Sequence, residues 1–190
     1  MRARVLATLL LTVTALTLAG CGTDTDEPAS GGTPVPSGSG AAGTPSRTSD
    51  ADAATAPDSL RFTGSTVDGR PFDGATLAGK PTVLWFWAPW CPKCRAQAAE
   101  TAKVAEDFAG KANIVGVAGL DKPTAMKDFV ASTKVDGFPN LSDEPGEIWR
   151  KFEISEQSTY VLLDKDGKTV FTGNLPAGKG LADKVGELIG

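Results

Sequence analysis

The stretch that most constrains this chain is a junction. Thr82-Val83-Leu84-Trp85-Phe86-Trp87-Ala88-Pro89 is an unbroken, mostly apolar run, and Trp90-Cys91-Pro92-Lys93-Cys94 follows at once. A run of that length, rich in β-branched and aromatic residues, reads as a strand buried on both faces. Cys91 to about Phe108 is instead rich in Ala, Gln, Glu and Lys and stops short of Gly110, which is helix punctuation. Two cysteines therefore sit where a buried strand hands over to a helix N-terminus. The two residues between them put both sulfurs on one turn, within reach of a disulfide.

That position favours reactivity at the first cysteine. Unsatisfied N–H groups and the helix dipole stabilise a thiolate at Cys91. Pro92 lacks an amide hydrogen that the first turn would leave orphaned, and its fixed φ suits that turn. Lys93 adds a positive charge, which at roughly 6 Å and an effective dielectric near 20 contributes at most about 3 kcal/mol before solvent screening. The residues alone leave three readings open: a redox pair, half of a zinc site, or an inert buried pair. A structural zinc site needs about four ligands, and the chain has no His and no second C-x-x-C, which favours the redox reading. The absence of His also excludes Cys-His and Ser-His hydrolases.

Phe86-Trp87-Ala88-Pro89-Trp90-Cys91-Pro92-Lys93-Cys94 resembles the active site of thioredoxin-fold thiol–disulfide oxidoreductases, in particular the extracytoplasmic ResA/TlpA/DsbE-like (redoxin) branch. The resemblance runs from about Leu60 to the C-terminus. Leu77-Ala78-Gly79-Lys80-Pro81, Phe138-Pro139-Asn140-Leu141-Ser142-Asp143 and Tyr160-Val161-Leu162-Leu163-Asp164-Lys165-Asp166-Gly167 extend it more weakly. It implies Cys91 as nucleophile and Cys94 as resolving cysteine, flanked by Trp90, Pro92 and Lys93. It implies no cofactor beyond the Cys91–Cys94 disulfide, and no metal.

Three regions are expected. Residues 1–21 form an address: Arg2 and Arg4 precede an apolar core of 15 residues, Val5 to Ala19, too short for a membrane span but suited to a signal peptide. Leu18-Ala19-Gly20-Cys21 resembles a bacterial lipobox, which implies that Cys21 is lipidated and anchors the mature chain to the membrane. The alternatives are an ordinary secretory signal and an uncleaved anchor. With Cys21 lipidated, the three cysteines resolve into one anchor and one pair, in an oxidising compartment where a disulfide persists. Residues 22–57 are a disordered linker of Gly, Pro, Ser, Thr, Ala and Asp with net charge −4 and only one large apolar residue, Val35. A flexible coil of that length spans roughly 30–35 Å. Residues 58–190 are the size of one domain and carry net charge −2, so nothing suggests a nucleic-acid partner.

The expected architecture of that domain is α/β. A central mixed sheet is flanked by helices and preceded by an N-terminal β-hairpin around Asp68-Gly69. Strand Thr82–Ala88, the helix after Cys91 and strand Ile114–Ala118 form a parallel pair with a right-handed crossover. Helices are expected from Pro123 to Val130, from Glu147 to Phe152 and from about Lys179 to Ile189. Thr159–Leu163 and Thr169–Thr172 form a hairpin across Asp166-Gly167. This is the thioredoxin arrangement that the resemblance implies.

The chain departs from the family at two places. The family's cis-proline, before the third core strand and facing the disulfide, matches Ser158 in Gln157-Ser158-Thr159, the expected substrate-docking loop. A cis bond before a non-proline residue costs about 3–4 kcal/mol, so a trans bond is expected, with altered docking beside Cys91 and easier metal access. The bland reading is a slightly different loop with the same chemistry. The buried acid of classical thioredoxin is replaced by Trp85; Glu100 is a weak alternative base, expected on the solvated face of its helix. Trp85 and Trp87 are expected in the core, and Trp90 at the surface near Cys91.

The function expected is thiol–disulfide exchange with exported thiol or disulfide proteins and a membrane redox partner, leaning to the oxidising direction. The alternative direction is reduction of apocytochrome c in cytochrome c maturation. A thiol peroxidase of this fold has a motif resembling P-x-x-x-T-x-x-C, whose positions here are Leu84 and Ala88. A copper carrier of this fold uses C-x-x-x-C and a distant His, neither present here.

Overall fold

The computed structural model describes residues 55–176 and 178–190. The expected leader, the expected lipidation site Cys21 and all but the end of the expected linker lie outside them. Ala56 is buried and the Pro57 carbonyl accepts from Leu60 N at 2.9 Å, so the last two residues counted with the linker pack on the domain.

The apolar run forms β3 (Thr82–Trp87), and all six of its residues are buried. It is the middle of a five-stranded sheet of order β5-β4-β3-β6-β7. The partners are β4 (Asn113–Ala118), β5 (Asn140–Ser142), β6 (Thr159–Leu163) and β7 (Thr169–Asn174). β3 pairs parallel with β4, with Phe86 opposite Val117, and antiparallel with β6, with Phe86 opposite Thr159. β4 and β5 are parallel; β6 and β7 are antiparallel. A central strand with neighbours on both edges and helices over both faces has no solvated side, which is why β3 is apolar throughout instead of alternating. The expected hairpin is present as β1 (Thr63–Ser65) and β2 (Pro71–Asp73), joined through Gly69 at φ 89° and bridged to the main sheet by Thr66 opposite Leu141.

Four helices follow the expected pattern: α1 (Pro92–Asp107), α2 (Pro123–Thr133), α3 (Glu147–Lys151) and α4 (Leu181–Ile189). Proline opens both α1 and α2, where its missing N–H costs nothing. β5 was not foreseen; its three residues lie in the Phe138–Asp143 stretch that carries part of the resemblance. Among the described residues, no helix is long and apolar enough to cross a membrane.

The sheet divides the core in two. Val83, Trp85 and Trp87 point to one side with Cys91, Cys94, Ala98, Met126, Phe129, Leu181 and Val185. Leu84, Phe86, Val115, Val117, Val161 and Leu163 point to the other, under Leu60, Leu77, Ile148 and Trp149. Trp85 and Trp87 are both fully buried, as expected, and Trp87 stacks on Phe129 with centroids 4.3 Å apart. Gly116 makes that face possible: an added Cβ would come within 2.8 Å of Trp87 Nε1 and 2.9 Å of Asn140 Cγ, which hold the Trp87–Asn140 hydrogen bond.

Glu100 is not on a solvated helix face. It is partly buried, its Oε1 accepts from Leu181 N at 3.1 Å at the start of α4, and its Oε2 is buried without a partner. α4 packs over the part of α1 that spacing alone left open to water.

Candidate active site

Cys91 is the N-cap of α1. Its backbone is extended (φ −81°, ψ 112°), its N–H donates to Ala88 O at 3.1 Å, and its sulfur accepts from Cys94 N at 3.0 Å. Cys91 and Cys94 are joined as a disulfide with Cα atoms 5.3 Å apart. A tight link from β3 through Ala88-Pro89-Trp90 sets the first cysteine where α1 begins, and helical geometry sets the second one turn on. Cys94 is completely buried and Cys91 is 3% exposed, so the first cysteine is the one that reaches solvent.

Around the pair the structure assembles two unlike walls. One is a buried polar lattice. Gln97, one turn beyond Cys94 and fully buried, accepts from Trp85 Nε1 at 3.1 Å. Its Nε2 donates to Leu175 O at 2.9 Å and to Ser158 O at 3.4 Å. Nearby, Tyr160 OH and Thr101 Oγ1 share a hydrogen bond of 2.8 Å. Burial pushes the Tyr160 phenol well above its usual range, which keeps it neutral.

The other wall is an exposed rim. Trp90 is 54% exposed and donates from Nε1 to Leu120 O at 3.3 Å. Leu120 is equally exposed and holds φ 62°, an uncommon backbone for a bulky residue. Across the rim, Lys93 Nζ donates to Asn174 Oδ1 at 2.9 Å, and Asn174 Nδ2 donates to Glu156 Oε1 at 2.7 Å. Arg95 lies over the Phe129 ring at 5.1 Å and donates to Ser132 Oγ.

The loop Gln157-Ser158-Thr159 comes to the same end of the sheet. Ser158 N donates to Phe86 O at 2.8 Å, and Thr159 pairs with Phe86. Ser158 is buried, holds φ 69°, and leaves its hydroxyl without a partner. Every residue expected at the site, from Trp90 to Cys94 and from Gln157 to Thr159, is therefore brought to one end of the sheet. Gln97, Leu120, Glu156 and Asn174 were not foreseen. Helical spacing from Cys94 marks Gln97, whereas Asn174 meets Lys93 across 81 positions and carries no local signal. Among the described residues, no group of three or more His, Cys, Asp or Glu is placed to hold a metal ion.

Residues 53–171 match the AhpC/TSA family. The chain belongs to that family. It is 41% identical over 122 residues to the soluble secreted antigen MPT53 of Mycobacterium tuberculosis, covering 64% of this chain and 69% of that one. Its fold is similar to MTB dsbF in mixed oxidized and reduced forms, with a TM-score of 0.63 and 38% identity, covering 71% of this chain and 97% of that one. It is also similar to a secreted Mycobacterium tuberculosis disulfide oxidoreductase homologous to E. coli DsbE. There the TM-score is 0.61 and the identity 37%, over 70% of this chain and 98% of that one. With these neighbours the α/β arrangement is the thioredoxin-like fold anticipated from the junction. Within the family, the two positions where a peroxidase motif carries Pro and Thr are Leu84 and Ala88, both fully buried apolar side chains.

Proposed function

We infer that this chain, an extracytoplasmic thiol–disulfide oxidoreductase, works through Cys91 and Cys94 and donates its disulfide to exported proteins. The carrying observation is Cys91 at the N-cap of α1, its sulfur accepting from Cys94 N at 3.0 Å. A partner thiolate attacks Cys91 Sγ; the partner–Cys91 disulfide forms, the Cys91–Cys94 bond breaks, and Cys94 leaves as a thiolate. A second partner thiolate then attacks the partner's sulfur, forming the partner's disulfide and releasing Cys91. Two electrons pass to this chain, and each of its sulfurs ends as a thiol or thiolate.

The sign of the stabilisation supports that direction. N-terminal amides and the nearby Lys93 charge favour a thiolate, which exists only in the reduced form, so the disulfide is a stronger oxidant. The exposed apolar pair Trp90 and Leu120 is the seat for the polypeptide flanking a partner cysteine. Cys21 and the linker of residues 22–57 tether the domain to the membrane, where a redox partner reoxidises it.

The test is exchange with a reduced, unfolded multi-cysteine protein. The oxidised chain is expected to form disulfides in that protein while losing its own, C91S to abolish transfer, and C94S to trap a mixed disulfide on Cys91. Net reduction of disulfides in an oxidised protein or an apocytochrome, with no disulfide donation, overturns the direction. No exchange in either direction overturns the reading.

A further inference from the structure

Ser158 combines two features that seldom occur together. Its side chain is buried, with the residue 2% exposed, yet its hydroxyl has no hydrogen-bond partner. Its backbone also holds φ 69°, a region that few residues other than glycine visit. Buried hydroxyls are normally satisfied, and strained backbone of this kind clusters at functional sites.

Its neighbours place it between the end of β3 and the inner face of α1. Ser158 N donates to Phe86 O at 2.8 Å, and Ser158 O accepts from Gln97 Nε2 at 3.4 Å. Gln97 follows Cys94 by one turn, and both side chains are completely buried. The two sulfurs differ in their surroundings. Cys91 Sγ has a backbone donor at 3.0 Å, whereas among the described residues no hydrogen bond reaches Cys94 Sγ. In the disulfide that is no hardship, because a bridged sulfur is uncharged. On opening, Cys94 takes the electron pair in a dry place.

We propose that the Ser158 hydroxyl is the donor for the Cys94 sulfur once the disulfide opens. One group is a buried donor without an acceptor; the other is a buried sulfur that becomes an anion without a donor. The hydroxyl rotates about its own side-chain bond to meet the released thiolate, so it is unsatisfied in the oxidised state and satisfied in the reduced one. The difference favours reduction of the pair. Of the ionisable groups nearby, Tyr160 is bonded to Thr101, and Glu156 and Lys93 to Asn174. Glu100 accepts from Leu181 N through Oε1 and keeps Oε2 buried without a partner, but a carboxylate oxygen has no proton to donate to a thiolate.

The inference rests on exchange through Cys91 and Cys94, and its test separates the two. In the full-length chain carrying C21S and C91S, Cys94 is the sole thiol, and its ionisation is read from thiolate ultraviolet absorbance. Adding S158A is expected to raise the Cys94 pKa by about one unit, a tenfold shift. With the dithiol intact in C21S, S158A is expected to lower the reduction potential by about 30 mV, the same tenfold for two electrons. S158G, which suits φ 69° and also lacks the hydroxyl, is expected to match S158A and serves alone if S158A does not fold. An unchanged Cys94 pKa in a folded variant overturns the proposal, as does a shift seen in S158G but absent from a folded S158A. If the unsubstituted pair shows no redox couple, it is the exchange function that fails. A normal couple that ignores S158A removes only the role of Ser158.

Discussion

The two faces of the central sheet are built differently. The face away from the disulfide is mainly hydrocarbon: Leu84, Phe86, Val115, Val117, Val161 and Leu163 meet Leu60, Leu77, Ile148 and Trp149. Phe86 packs edge-on to Trp149 with centroids 5.7 Å apart, and Trp149 Nε1 donates to Val117 O at 3.3 Å. The face that carries the cysteines is cross-linked by polar side chains inside an aromatic setting. Gln97 joins Trp85, Ser158 and Leu175; Asn140 joins Trp87 to the carbonyls of Val135 and Phe138; Thr101 joins Tyr160. Apolar contacts are non-directional and tolerate small adjustments, whereas hydrogen bonds fix position. One face supplies stability, and the other holds the loop before β6 and the start of α1 in register around two sulfurs.

The sharpest way to break that contrast is to injure each face and read both stability and redox potential. F86A on the apolar face is expected to cost about 3–5 kcal/mol of unfolding free energy while leaving the potential of the folded fraction unchanged. Q97L on the other face nearly conserves volume but strips Trp85 Nε1 and the Ser158 and Leu175 carbonyls of their partner. It is expected to cost about 1–3 kcal/mol and to move the potential as well. Denaturant titration and glutathione equilibration check both; a potential shift as large in F86A as in Q97L removes the division of labour.

Alkaline pH probes the redox-side face more gently. The folded Tyr160 phenol has its pKa raised by burial above the unfolded value, so the fold favours the protonated form. That contribution is complete below about pH 10 and is lost as pH rises further, by up to about 1.4 kcal/mol per unit. Stability measured across that range is expected to fall in the parent chain and to fall less in Y160F. The smallest effect is expected at the exposed rim. N174A releases Lys93 and Glu156, with a stability change under about 0.5 kcal/mol.

Legibility in the sequence followed locality. The junction of β3 with α1 is written in adjacent residues, an apolar run, a Pro at the first helical turn and two cysteines one turn apart, and the structure reproduces it. β6 was readable for the same reason, whereas Ser158 was set beside the site by the resemblance, as the position of the family's cis-proline. β5 was not, because three residues of an edge strand after Pro139 are too few to show a period. Glu100 was misplaced because the helix that covers it, α4, arrives from 81 residues later. Leu120 gave no warning either, since its unusual φ is set by the turn between β4 and α2 and not by a glycine. Gln97 was within reach of the spacing argument, but a glutamine on an Ala-rich helix looks like a solvated residue until its partners are known.

The central claim is that Cys91 and Cys94 form a reversible couple poised to oxidise. The most direct test is the equilibrium reduction potential of that pair in the full-length chain, measured against glutathione with Cys21 replaced by serine. The account predicts a two-electron couple between about −120 and −180 mV. A potential at or below about −250 mV, or no couple at all, would contradict it.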